Sequence, residues 1–151
     1  MNKFTLLLIS SLFMVGAAGC NNARTSMDAP TYRGGVVENP QNVQETKEDA
    51  ESNIRQAQLN ADIRAREQRN NWSSNPLVRT NADLQSEVRA KLEANIPRAK
   101  LGVEAQEGIV TIYGVVPDER EYRTIEPLTR EIRGVEAVNV DVEVVPPLEY
   151  Q

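Results

Sequence analysis

Cys20 is the only cysteine in this sequence, and histidine is absent. The commonest general base and metal ligand is therefore missing, and one thiol makes no intrachain disulfide, CxxC pair or zinc cluster. That inventory disfavours a metalloenzyme, a Ser-His-Asp hydrolase and a disulfide-held scaffold. Carboxylates remain: Glu119 and Glu121 lie two residues apart, but a small solvated helix face offers no concave site to shift their pKa values. No catalytic residue, metal or cofactor is expected, and no small-molecule substrate. Cations that could hold an anionic group are more numerous. Arg120, Arg123, Arg130 and Arg133 fall opposite the apolar side of one helical pattern, interrupted by Glu119 and Glu126, and Arg98 with Lys100 makes a smaller second spot. The chain as a whole has 17 Lys+Arg against 22 Asp+Glu, net -5, so general nucleic-acid binding is not expected.

At the start of the chain, Lys3 opens a run from Phe4 to Val15 that is apolar apart from Thr5, Ser10 and Ser11. It is shorter than the roughly 20 apolar residues of a membrane span and ends in small residues, as a cleaved export signal does. Val15, Gly16, Ala17, Ala18 and Gly19 lead into Cys20, and this stretch resembles the lipobox of bacterial lipoproteins. The resemblance implies a signal peptide over residues 1–19 and a Cys20 that carries three acyl chains, palmitate among them, as the new N-terminus. Ordinary signal-peptide cleavage at Gly19 and an uncleaved anchor are the alternatives. Each buried methylene contributes about 0.8 kcal/mol, so several chains make a durable anchor. Asn21 stands where an Asp would resemble an inner-membrane retention signal, which favours the outer membrane.

Loss of residues 1–19 removes Lys3 and no acid, leaving 16 basic against 22 acidic residues, net -6. Phe4 and Phe13 go with it, so Trp72 and four tyrosines are the remaining aromatics. Residues 20–44 are rich in Asn, Pro and Gly without apolar period and read as a flexible tether. Residues 45–70 read as a polar helical spacer with Ala50, Ile54, Ala57, Ala61 and Ala65 on one stripe, supported by Glu51–Arg55 and Asp62–Arg66 pairs. Residues 71–79 form a linker in which Asn71-Trp72-Ser73 matches a glycosylation sequon without carrying an expectation, and residues 147–151 form a tail.

Between them, residues 80–146 show clear periodicity. Thr80 and Asp83 mark a helix start, and Leu84, Val88 and Leu92 recur until Pro97. Leu101, Val103 and Ala105 alternate with polar residues, Glu107 and Gly108 make a turn, and Val110, Ile112 and Gly114 alternate again. Asp118 caps a second helix with Tyr122, Ile125, Leu128 and Ile132 inward, ended by Gly134. Pro127 inside it predicts a kink or a helix in two pieces. Val138, Val140, Val142 and Val144 then form a strand with one buried face. The expected fold is an α+β domain of order α-β-β-α-β, with a mixed three-stranded sheet, the last two strands parallel, and both helices on one face. The other face, with Thr111, Tyr113, Asn139, Asp141 and Glu143, would be solvent or partner surface.

Gly108, Val110, Thr111, Ile112 and Gly114, followed by Gly134, Val135, Val138, Asn139 and Val140, resemble the BON domain of bacterial envelope proteins. Gly108 suits a tight hairpin, Gly114 a close helix approach or a bulge, and Gly134 a helix end. The resemblance implies a noncatalytic module associated with phospholipid binding and with envelope integrity under stress. The expected protein is then a membrane-anchored lipoprotein facing the periplasm. Its phospholipid contact is the Cys20 anchor, joined by Arg120, Arg123, Arg130, Arg133, Arg98 or Lys100 as headgroup or partner contacts. Those contacts are weakened by charge, since 8 basic against 13 acidic residues between Thr80 and Val145 give -5. The alternative is an adaptor that presents the domain to an envelope protein partner and touches lipid only through Cys20.

Overall fold

The computed structural model of the chain describes residues 23–72 and 79–148. The elements are β1 (Ala23–Arg24), α1 (Gln44–Glu51), α2 (Asn53–Trp72), α3 (Asn81–Asn95), β2 (Lys100–Gln106), β3 (Ile109–Val116), α4 (Glu119–Arg130) and β4 (Ala137–Val144). Local chemistry sets the boundaries. Thr80 Oγ1 accepts from Asp83 N at 3.2 Å and Asp118 Oδ1 from Glu121 N at 2.9 Å, so each domain helix starts on a side chain that satisfies an orphan backbone donor. Glu107 and Gly108 both take positive φ, the geometry of the tightest hairpin turn, whose twist matches that of the strands it joins.

β2 pairs with β3 antiparallel and β3 with β4 parallel. Leu101, Val103, Val110, Ile112 and Val116 point to the same side as Leu84, Val88 and Leu92 of α3 and Ile125 of α4, and all belong to one buried cluster. Fully burying a side chain of this kind contributes about 1.5–3 kcal/mol relative to exposure, so this layer dominates the stability. The expected α+β class and the two helices over one sheet face are found.

The sheet has four strands where three were expected. The extra one, β1, comes from the segment read as a flexible tether, and it pairs antiparallel with β2 through Ala23 to Val103 and Arg24 to Gly102. Thr25 extends the pairing: its N–H donates to Leu101 O at 2.8 Å, its hydroxyl donates to Ala99 O and accepts from Leu101 N. Beyond it the chain crosses the second face of the sheet. Tyr113, placed by its position in β3 on that open face, is only 2% exposed. A Cβ on Gly102 would lie 2.2 Å from the Tyr113 ring and 2.9 Å from Pro30 O, so glycine there lets ring and chain lie flat on the strand. The segment therefore packs on the domain instead of standing free of it over residues 23–43.

The spacer helix is corrected in the same way. It is two helices, α1 and α2, separated at Ser52, and α2 lies on α3. Of the expected stripe Ala50 is buried, but Ile54 is 75% exposed, and on α2 the contact is led by Leu59, 1% exposed, with Ile63, Arg66 and Asn70 continuing the covered side. The expected pairs along the helix give way to pairs across helices, with Arg55 on Glu93 and Arg66 on Asp83.

α4 runs through Pro127 as one element, not in two pieces. Pro127 is exposed near the last turn, where the missing N–H leaves only a solvent-side carbonyl unmatched. Gly134 lies past the end of α4 at φ +93, in the turn closed by Val135 N and Ile132 O, so it shapes the helix-to-strand turn and is not the cap itself. Gly114, at φ +128, faces a strand and not a helix: a Cβ there would sit 2.1 Å from Lys100 O. Gly114→Ala should destabilise the protein by about 2–4 kcal/mol, seen as a lower urea midpoint at unchanged slope.

Candidate functional site

The arginines of the second domain helix occupy two different kinds of place. Arg120, Arg123 and Arg130 are exposed along α4, and Arg133 is exposed just after it. Arg123 Nε stands 3.8 Å from Glu119 Oε2 and Arg130 Nε 2.8 Å from Glu126 Oε1, with all four side chains at least half exposed. Such solvated pairs are worth about 0.2–1 kcal/mol and exchange readily. Arg120 makes no ion pair among the described residues. Arg133 donates to Asn71 Oδ1 at 3.1 Å, while its carbonyl accepts from Arg79 Nη1, which ties the end of α2 to the turn before β4.

Two depressions flank this ridge. One, of about 360 Å³, is bordered by Ile96, Leu128, Arg120 and Arg123. The other, of about 520 Å³, lies between α4 and β4 and is bordered by Tyr122, Val140, Arg123 and Arg130. The exposed cations therefore sit between two partly apolar troughs.

Arg98 and Lys100 are structural. Lys100 is wholly buried, and its ammonium donates to Asp28 Oδ2 at 2.8 Å, Glu38 O at 3.1 Å and Asn39 O at 2.6 Å. All three donors are used, so Lys100 is withdrawn from any external contact. Arg98 donates to Glu121 Oε1 at 2.7 Å and to Asp118 Oδ2 at 2.6 Å. It joins the helix cap to the chain before β2 and has little left for another anion.

Glu121 and Glu119, the carboxylate pair of interest, are not brought together in one cleft. Burial pushes the Glu121 carboxyl up against the opposing pull of Arg98, and its Oε2 is buried without a hydrogen-bond partner. Glu119 is largely solvent-exposed. The perturbed group is thus one half of a structural ion pair. Among the described residues no group of His, Cys, Asp or Glu is arranged to hold a metal ion, and no helix is long and apolar enough to cross a membrane.

Sequence reasoning missed the largest charge cluster, between α2 and α3. Asp83 takes Arg66 at 2.6 Å together with Arg79 and, at 3.5 Å, Arg69. Arg79 also meets the buried Glu87 at 2.5 Å, and Glu93 receives Arg55 and Arg89. Arg79, Asp83 and Glu87 recur every four residues, as do Arg89 and Glu93, and that spacing was the available signal.

A helix, a hairpin, a second helix and a parallel last strand make up residues 80–146, with Gly108, Gly114 and Gly134 at positive φ. Residues 80–146 are a BON domain. BON domains are noncatalytic binding modules associated with phospholipid and the cell envelope, and the match supports a general envelope-associated role. No curated protein and no solved structure matches the chain.

For the BON domain's α3, burial acts to raise the Asp83 carboxyl, but hydrogen bonds from Arg79 and Arg66 outweigh it and hold the group below the usual carboxylate range. A carboxylate depressed in the folded state stabilises fully above its unfolded value of about 4 and ceases to as the pH falls through the folded value. Asp83→Asn should therefore cost about 2 kcal/mol at neutral pH, and the gap between variant and parent in urea titrations should narrow below about pH 4.

Proposed function

We propose that this is a noncatalytic, lipid-anchored envelope protein whose BON domain meets phospholipid headgroups through α4. Acylated Cys20 holds it at a membrane, facing the periplasm, with the outer membrane favoured by Asn21. Cys20 and the signal peptide lie outside the described residues, and the lipobox-like stretch from Val15 supports that part. The observation that carries the rest is the exposed ridge of Arg120, Arg123 and Arg130 on a domain of this family.

A phosphodiester can displace the loosely held Glu119 and Glu126, because guanidinium binds phosphate with two parallel hydrogen bonds and the pairs it replaces are weak. The troughs beside Ile96 and Leu128 and beside Tyr122 and Val140 suit the glycerol and first acyl carbons of the same lipid. The domain's own charge of -5 opposes this, but much of it is answered by the preceding part of the chain. Arg33, Arg55, Arg66, Arg69 and Arg79, all preceding the domain, pair with Asp141, Glu93, Asp83 and Glu87. The local field at α4 is then set by α4's own residues, since exposed charges beyond about 8–10 Å are screened. In the cell such contact would help maintain envelope integrity under stress.

Flotation of the chain from Asn21 onwards with vesicles tests the domain's share. Binding to anionic vesicles should weaken with salt, and Arg120→Glu with Arg123→Glu should reduce it about tenfold or more. No flotation of the parent would leave the acyl group as the only lipid contact and favour the adaptor reading. In whole cells, Cys20→Ser should abolish labelled palmitate incorporation and release the protein from the membrane fraction; retained label would contradict the anchor.

A further inference from the structure

β4 is the last strand of the sheet, and among the described residues no strand pairs with its outer edge. The ladder fixes which groups face outward. Ala137 N donates to Gly108 O and Val145 N to Val116 O, so odd-numbered residues between them turn toward β3, and Val138, Val140, Val142 and Val144 offer their N–H and C=O to the open side. Edge strands are commonly blunted by Pro, Lys, a bulge or short length. β4 has none of these: it runs eight residues, Ala137–Val144, in unbroken register with β3. The opposite edge is treated differently, with only two residues of β1 laid over β2.

Two further features flank this edge. On one side is the trough between β4 and α4, with an apolar floor of Tyr122, Pro127 and Val140 and a charged rim of Arg123, Glu126 and Arg130. On the other side of the same strand Asn139, Asp141 and Glu143 are exposed. Glu143 forms no ion pair among the described residues, and Asp141 has only the solvated Arg33 at 2.8 Å. A strand laid against β4 would send alternate side chains to these two surfaces, one apolar and one acidic.

We infer that the β4 edge takes up an extended peptide segment of alternating apolar and basic residues as a fifth strand. Backbone groups of Val138, Val140, Val142 and Val144 supply the hydrogen bonds, the α4 trough takes the apolar residues, and Asp141 and Glu143 face the basic ones. This mode of recognition needs only an open edge and pockets for alternate side chains. A second copy of the chain fits less well, because β4 against β4 would set Asp141 and Glu143 opposite like charges, which repel. The site goes beyond the phospholipid reading: it shares the trough at Tyr122 and Val140 with that reading but does not use Arg120.

The test is an amide NMR titration of the isotope-labelled chain from Asn21 onwards, which retains every described residue, with a blocked hexapeptide of alternating Val and Lys. Shifts should centre on 138–144, and a Val/Glu hexapeptide should bind about tenfold more weakly. N-methylation of one alternate set of peptide residues should abolish binding while the other set is tolerated, since only one set donates to the edge. Glu143→Lys, at an exposed site, should weaken the Val/Lys peptide with an unchanged amide spectrum elsewhere. The inference is overturned by no binding at about 1 mM peptide, by equal tolerance of both N-methylated peptides, or by shifts on α4 that spare β4. It is also overturned if concentrating the protein alone shifts 138–144, which would assign the edge to a second copy. Arg120→Glu should leave peptide binding intact, so loss of vesicle flotation and loss of peptide binding report separately.

Discussion

Charge buried at the surface of a domain must be paired, and here most of the partners come from outside the domain that carries it. Lys100 lies wholly inside, and every acceptor for its ammonium belongs to residues 28–39. On the other side of the sheet Asp83, Glu87 and Glu93 project from α3 toward Arg55, Arg66, Arg69 and Arg79. An unpaired ion in such a place costs several kcal/mol, whereas the apolar contacts of α2 alone, led by Leu59, would be slight. Pairing is thus what turns an otherwise solvated stretch into part of the fold. It acts on both faces: residues 25–43 cover the sheet and α2 covers α3.

That arrangement decides which surfaces are left for other molecules. With α3 and much of the second sheet face covered, α4 and the outer edge of β4 remain open. α4 keeps its cations exposed because its inward contacts are met by Ile125 and its cap by Arg98 and Asp118. β4 keeps its edge because the crossover from β3 through α4 places it last. The two open features adjoin along Tyr122 and Val140, yet they differ in chemistry: guanidinium groups on the helix, backbone donors and acceptors on the strand. On the two proposals above, the domain would keep a phosphate-binding chemistry apart from a peptide-binding one, and Cys20 would set both near a membrane.

The domain from Thr80 to Val144 was legible because its elements obey strict periods and carry their own stop signals. Thr80 and Asp118 have side chains that cap helices, Gly108 sits in a hairpin that needs positive φ, and the four valines of β4 leave one reading of their face. Residues 23–43 were not legible, since they dock through Thr25, Asp28 and backbone carbonyls, which leave no apolar period. The side of α2 that packs was misjudged for a related reason. Alanines marked one stripe, while the contact is made by Leu59 and by arginines whose partners lie 17–38 residues away. Of the candidate contacts, Lys100 and Arg98 could not be distinguished from free cations by composition, because only the fold brings Asp28, Asn39 and Glu121 to them. The edge of β4 was invisible for a further reason: which strand lies last is a property of the whole sheet.

Paired buried charge holds residues 23–72 to the BON domain as one folded unit. Native-state hydrogen exchange on the intact chain from Asn21 onwards measures this directly. Amides of α2 around Leu59 and the Thr25 amide bonded to Leu101 should be protected to nearly the same free energy as those of α3 and β2, and Lys100→Met should lower protection across residues 25–43 first. Rapid exchange throughout 23–72 beside a protected 80–146 would contradict the account, leaving a self-sufficient domain behind a free tether.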